Sequence, residues 1–209
     1  MIVGVTGGIG AGKSRVCEVF ARGGAYVIEA DEVGRAAVDD PGVLRSLAET
    51  FGRGILDENG VLIRRELGRR AFVSTETRDR LNAIVWPTLV EKLKDRARSA
   101  LAQRAERPVV IDAALILEWG DHHELCDILV VVTAPETVRI QRAMERKGLS
   151  EAEVRERMAC QLPESDKVEA ADFVIENARS AAELESVALS VWRQIVKSVR
   201  KETSGKSPD

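Results

Sequence analysis

Eight residues near the start of the chain constrain its fold more than any others: Gly7-Gly8-Ile9-Gly10-Ala11-Gly12-Lys13-Ser14. They spell G-x-x-x-x-G-K-S, the phosphate-binding P-loop pattern. Their flanks carry as much information as the letters. Ile2-Val3-Gly4-Val5-Thr6 is a short β-prone run, Ser14 to Arg22 reads as a helix, and Gly23-Gly24 stops it. A strand, a glycine loop and a helix in that order form a phosphate cradle. Glycines let the backbone wrap a polyphosphate and turn successive N–H groups toward its oxygens. The helix N-terminus adds partial positive charge. On this reading Gly8, Ile9, Gly10, Ala11, Gly12, Lys13, Ser14 and Arg15 hold the phosphates of a nucleotide. Lys13 reaches the β- and γ-phosphates, and the Ser14 hydroxyl takes Mg2+.

The apolar pattern beyond the loop predicts the rest of a sheet. Ala25-Tyr26-Val27-Ile28 reads as a second strand, Pro108 to Asp112 as a third, Ile128 to Val132 as a fourth and Phe173-Val174-Ile175 as a fifth. The third and fourth are continuous β-branched runs, as strands buried on both faces of a parallel sheet require. Between strands two and three, from about Val33 to Arg107, the chain is helical in period and charged, broken by turns at Asp39-Asp40-Pro41-Gly42 and Asp57-Glu58-Asn59-Gly60. That is too long for a simple crossover, so it reads as an insertion. A charged helical stretch follows strand four from Glu136 to Glu169, and a final helix runs from Ala181 to about Lys201. The expected class is α/β, a three-layer P-loop NTPase fold with a five-stranded parallel sheet, a helical insertion and a helical lid. One domain over 1–201 is expected, with a nucleotide core at about 1–35 and 107–201, the insertion at about 36–106, the lid at about 136–169 and a disordered tail at 202–209.

Composition narrows the function classes. The chain has 209 residues and is 44% hydrophobic, enough for a substantial core. Its 31 Lys and Arg against 34 Asp and Glu leave a formal charge of −3, so no global drive toward nucleic acid or an anionic membrane is expected. No apolar run approaches the roughly 18 residues of a membrane span. Cys17, Cys126 and Cys160 are odd in number and far apart, the pattern of reduced, mostly structural thiols in a cytoplasmic protein. Asp121, His122, His123 and Glu124 lack metal-ligand spacing and read as an exposed loop. Trp86, Trp119 and Trp192 read as packing residues, because no basic–aromatic interleaving surrounds them.

In an open parallel sheet, ligands belong at the C-terminal edge of the strands. That edge selects Asp112, which follows three apolar strand residues and can orient Mg2+ beside Ser14, directly or through water. It also selects Asp31, a carboxylate placed to take a proton from an acceptor hydroxyl. Helix N-capping is the competing reading for both. Arg139, Arg142 and Arg146 recur at spacings of three and four and share a helix face. As a mobile lid, that face would neutralise a transferring phosphoryl group and exclude water. The competing reading is a solvated charged helix.

These residues resemble one family, dephospho-CoA kinase, the last enzyme of coenzyme A biosynthesis, from Met1 to about Ile195. Gly4 to Ser14 is similar to the family's opening, and Val27-Ile28-Glu29-Ala30-Asp31 with Arg35 to its V-I-D-A-D…R segment. Phe51-Gly52, Ile55-Leu56, Gly60, Arg64 and Leu67 resemble its F-G…I-L…G-x-L-x-R-x-x-L stretch. Asp112, Leu115 and Glu118 resemble D-x-P-L-L-x-E, and Gln141, Arg142 and Arg146 fall where the family has Q-x-x-R-x-x-x-R. Arg157 and Gln161 resemble R-x-x-x-Q, and Ala171 to Ile175 with Asn177 resemble A-D-x-V-I-x-N.

The resemblance implies transfer of the γ-phosphoryl of ATP to the ribose 3′-hydroxyl of dephospho-CoA, with Mg2+ as cofactor. It implies Asp31 as base, with Lys13, Arg142 and Arg146 stabilising charge. Asp31, Arg35, Arg64, Trp86 and Leu115 would bind the acceptor, with the insertion as the acceptor subdomain. Expected partners are ATP and dephospho-CoA, without nucleic acid or membrane, in a monomer or small homo-oligomer. The chain departs from the family at Glu29 (usually Asp), Arg15 (Thr), Ile63 (Asp or Asn), Trp86 (His), Ala114 (Pro) and Lys147 (Asp). Ile63 and Trp86 bear on acceptor recognition. Two alternatives stand beside this reading: another P-loop small-molecule or nucleoside kinase, and a nucleotide-binding protein without catalysis. A GTPase is disfavoured, since no N-K-x-D stretch occurs and the D-x-x-G at Asp57–Gly60 reads as a turn.

Overall fold

The computed structural model describes residues 1–103 and 107–204. They form two compact units: Met1–Ile28 with Ala97–Asp209, and Glu29–Arg96.

The first unit is built on a sheet of β1 (Ile2–Thr6), β2 (Tyr26–Glu29), β3 (Val109–Asp112), β4 (Ile128–Thr133) and β5 (Phe173–Glu176), in the order β2-β3-β1-β4-β5. β1 pairs in parallel with β3, Val5 opposite Asp112, and with β4, Thr6 opposite Val131. β4 pairs in parallel with β5, Thr133 opposite Glu176. The expected five-stranded parallel sheet is present. Val3, Val5, Val109, Val110, Ile111 and Leu129 to Val132 are sealed from solvent, so the β-branched runs do mark strands covered on both faces.

Helix α1 (Lys13–Arg22) packs on α9 (Ala181–Ser204) through Val16, Phe20, Leu184, Ala188 and Trp192. The Phe20 and Trp192 rings stack with centroids 4.8 Å apart, and the indole N–H donates to the Gly23 carbonyl at 2.9 Å. Trp192 is thus a packing residue with its polar edge satisfied. Helix α9 passes the expected end at Lys201 and stays helical through Ser204, because the first helix breaker is Gly205. The remainder of the expected tail, 205–209, lies outside the described residues. Cys17 and Cys126 are buried and Cys160 is exposed. Among the described residues, no helix is long and apolar enough to cross a membrane.

The second unit contains α2 (Ala30–Ala37), α3 (Pro41–Phe51), α4 (Arg64–Ala71) and the larger part of α5 (Thr75–Gln103). Asp40 caps α3 by accepting the Gly42 N–H at 3.0 Å, with Pro41 in the first turn. That backbone hydrogen bond holds the Asp40 carboxyl below its ordinary value. Asp57-Glu58-Asn59-Gly60 is a closed turn: the Gly60 N–H donates to the Asp57 carbonyl at 3.0 Å, and the Asp57 carboxylate accepts the Asn59 and Val61 N–H groups.

The chain passes between the two units at 28/29 and at 96/97. α2 follows β2 without a loop and belongs to the second unit. α5 is one uninterrupted helix, so no breaker in the sequence marks its passage from one unit to the other. The expected end of the insertion, at 106, lies outside the described residues.

Candidate active site

The P-loop leaves the C-terminal end of β1 and enters α1. Gly12 occupies the α1 N-cap with φ 98°, a left-handed conformation that side chains rarely adopt. Lys13, the first residue of α1, makes an ion pair through Nζ with Oδ1 of Asp112. Parallel pairing of β1 and β3 explains the meeting, since Asp112 ends the strand beside the one that feeds the loop. The two side chains are only 18% and 12% exposed. Asp112 therefore meets Lys13 and caps no helix; the next helical turn, His122–Glu124, is capped by Asp121. Ser14 is half-buried in the first turn of α1. The Arg15 guanidinium lies instead on Glu18, at 2.8 Å, and on Glu185 of α9.

Groups behind the loop hold its shape. The Ile9 N–H donates to Oε1 of Gln161 at 3.1 Å. Ile9 also joins a small apolar cluster with Ile140, Ala143 and Val154 from α6 (Glu136–Lys147) and α7 (Glu151–Ala159). Arg139 of α6 is 9% exposed, and its guanidinium takes the space a Cβ on Gly8 would need. Its Nε faces Glu164, the first residue of α8 (Glu164–Glu169), at 3.4 Å. Lys167 of α8 is 1% exposed and faces Glu118 at 3.4 Å, and Glu118 accepts the Leu162 N–H at 2.9 Å. Arg139 Nε, Glu164 Oε2, Lys167 Nζ and Glu118 Oε2 are buried without a hydrogen-bond partner of their own. A charged stretch with the look of a solvated helix thus turns Arg139 and Lys167 inward, each against a carboxylate.

The three arginines of α6 part company. Arg139 is buried, Arg146 is exposed, and Arg142 between them is half-buried against the end of β5. Arg142 donates to the Asn177 carbonyl at 3.2 Å and to its Oδ1 at 3.4 Å. The expected match at Gln141 also needs correction. In a Q-x-x-R spacing, the residue three before Arg142 is Arg139, whereas Gln141 is exposed and bonds Glu145 at 2.9 Å. His122 is half-buried in a turn whose cap, Asp121, accepts the His123 N–H at 2.9 Å. Burial pushes the His122 imidazole below its ordinary value.

In the second unit, Asp31 sits exposed in the first turn of α2. The N-cap of that helix is Glu29, which removes the capping explanation for Asp31. The Arg35 carbonyl accepts from Arg64 at 3.1 Å, and Arg64 also pairs with Asp39 at 2.7 Å, so two expected acceptor residues meet. Trp86 is half-buried in α5. Leu115, which belongs to the first unit, is half-buried in the turn after β3.

The family model for dephospho-CoA kinase matches residues 1–183. The chain belongs to the dephospho-CoA kinase family. It is 43% identical over 188 residues to a dephospho-CoA kinase of Methylococcus capsulatus, covering 89% of this chain and 92% of the relative. It is 37% identical over 200 residues to one from Corynebacterium diphtheriae, covering 95% and 98%. A solved dephospho-CoA kinase from Campylobacter jejuni superposes with a TM-score of 0.71 at 23% identity over 94% of this chain and 98% of that one, a likeness that shows the fold. Within this dephospho-CoA kinase frame, residue-by-residue reading gave no role to Asn177, Gln161 or Lys167. Asn177 and Gln161 are single polar letters inside motifs and Lys167 lies in a charged stretch, and only the contacts around each distinguish it from surface.

Proposed function

We propose that this chain transfers the γ-phosphoryl group of ATP to the ribose 3′-hydroxyl of dephospho-CoA, giving CoA and ADP. Family membership over residues 1–183 carries the reading. The Lys13–Asp112 pair at the C-terminal edge of the sheet supports it.

The acceptor hydroxyl attacks the γ-phosphorus, the bond to the β,γ-bridging oxygen breaks, and ADP leaves. Asp31 takes the hydroxyl proton, a role its exposed carboxylate suits. Glycine-loop N–H groups and the α1 N-terminus hold the phosphates. Lys13 exchanges Asp112 for phosphate oxygens, and Arg142 and Arg146 balance the charge of the transferring group. Arg35, Arg64, Trp86 and Leu115 hold the acceptor. The Ser14 hydroxyl and the Asp112 carboxylate are hard oxygen donors of the kind Mg2+ takes, and these residues would hold it. When bound, that ion neutralises polyphosphate charge.

Steady-state ADP release tests the reading, with dephospho-CoA set against a panel of nucleosides and small alcohols. Release that depends on dephospho-CoA is expected. Release no faster than in buffer, from folded protein with Mg·ATP, overturns the reading, and a preference for another alcohol reassigns the acceptor.

A further inference from the structure

Asn177, the residue after β5, is 6% exposed and touches three parts of the phosphate site. Its backbone N–H donates to the Thr133 carbonyl at 2.7 Å, fixing it to the end of β4. Its Nδ2 donates to the Ala11 carbonyl of the P-loop at 2.8 Å. Its carbonyl and Oδ1 accept from the Arg142 guanidinium of α6 at 3.2 and 3.4 Å. The same Nδ2 fills the space a Cβ on Gly12 would need.

These partners settle the orientation of the amide. Arg142 offers only donors and the Ala11 carbonyl only an acceptor, so Oδ1 must face the guanidinium and Nδ2 the loop. A side chain with one donor end and one acceptor end is required, and among residues of this size only asparagine has both. Aspartate would turn an oxygen on the Ala11 carbonyl. An apolar residue would leave a buried acceptor unpaired.

We infer that Asn177 is a positioning residue that couples the phosphate loop to the lid arginine. The donor arm fixes the Ala11 carbonyl, and with it the turn of the loop between Gly10 and Gly12. The acceptor arm holds Arg142, the arginine proposed to balance the charge of the transferring group. Loop shape and arginine placement are thereby set by one rigid amide. The inference rests on the proposed use of the P-loop for ATP.

The test compares wild type, Asn177→Ala, Asn177→Asp, Arg142→Ala and the double variant Asn177→Ala/Arg142→Ala. Mg·ADP affinity is read by titration, and kcat and KM for ATP by ADP release with dephospho-CoA. Asn177→Asp keeps the seat for Arg142 and sets like against like at Ala11, so it should weaken Mg·ADP binding by about tenfold or more. Asn177→Ala should raise KM for ATP similarly and also lower kcat. Its effect on kcat should largely vanish in the Arg142→Ala background, because the seat then has no occupant. Unchanged Mg·ADP affinity in a folded Asn177→Asp variant overturns the inference, as does a kcat loss that multiplies fully with that of Arg142→Ala. Should the Asn177 variants fail to fold, the Asn177 carboxamide NMR signal decides. It should move in wild type on adding Mg·ADP and move again in Arg142→Ala; a signal indifferent to both overturns the inference. A wild type that binds Mg·ADP but turns over no dephospho-CoA refutes the kinase reading instead, while the affinity and NMR arms still judge Asn177.

Discussion

The two units prepare their charged groups in opposite ways. In the first unit, Lys13 is held by Asp112, Arg142 by Asn177 and Arg139 by Glu164, each buried or half-buried. In the inserted unit, Asp31 and Arg35 are exposed, and the Arg64–Asp39 pair has side chains 48% and 56% exposed. One end of the proposed reaction, the exposed Arg146 excepted, is therefore preorganised around a ligand common to many enzymes, and the other keeps its charged groups hydrated. A polyphosphate needs many fixed donors at once, and placing them in advance avoids ordering them during the reaction. Solvent-facing residues add little to folding, which makes them the ones a change can reach without cost to the fold.

If that contrast is right, turnover and stability should separate by unit. Asp31→Asn should lower kcat by about 10²–10⁴-fold. Nucleotide affinity and melting temperature should stay near wild type, since the side chain is exposed. Unchanged turnover would reject Asp31 as the base. Lys13→Met should cost about 10²–10³-fold in kcat/KM for ATP. It should also move the melting temperature, because Asp112 loses its nearest cation in a site only 12% exposed. Equal thermal behaviour of the two variants would break the contrast.

Lys167→Met examines the unit with no appeal to chemistry. Its loss leaves Glu118 buried and uncompensated, which should cost about 3–5 kcal/mol by denaturant unfolding. Replacing both partners, Lys167→Met with Glu118→Gln, should recover much of that. A single variant as stable as wild type would show that the pair does not carry the α8 junction.

The limits of sequence reading follow the same division. The P-loop pattern, the strands and the place of Asp112 at the sheet edge were legible because their physics is local: β-branched runs, a spaced set of glycines, a carboxylate at a strand end. The burial of Lys167 was not, since Glu164-Ser165-Asp166-Lys167-Val168-Glu169 has the composition of a solvated turn and only packing decides which charge turns inward. Arg139, Arg142 and Arg146 share a helical spacing, yet the sheet edge and α8 give them three different environments. The unit boundary inside α5 left no mark because a continuous helix crosses it.

On the exposed side, Arg64→Ala should be nearly silent in stability, by less than about 1 kcal/mol, because its ion pair with Asp39 is hydrated. Its cost should fall on KM for dephospho-CoA, by about tenfold, with KM for ATP unchanged. A rise in KM for ATP instead would mean that the inserted unit serves the nucleotide and that the division of labour is drawn in the wrong place.

The smallest effect belongs to the interior of the first unit. Burial pushes the Cys126 thiol from 9.0 up to about 12. Its sulfur lies where a Cβ on Gly4 of β1 would have to fit. In the unfolded chain the thiol ionises at its ordinary value, so between 9.0 and about 12 the folded state holds a proton that the unfolded state has released. Any stability due to the neutral thiol is complete below that window and lost as pH rises through it. Unfolding followed from pH 8 to 11 should show a downward slope that is shallower in Cys126→Ala, after allowing for the cavity that variant leaves at every pH. The exposed Cys160 should make no such contribution in Cys160→Ala. Identical slopes in wild type and Cys126→Ala would mean that the β1 environment is wetter than the packing implies, and that the contrast between a dry first unit and a hydrated second unit is weaker at its centre than at its edge.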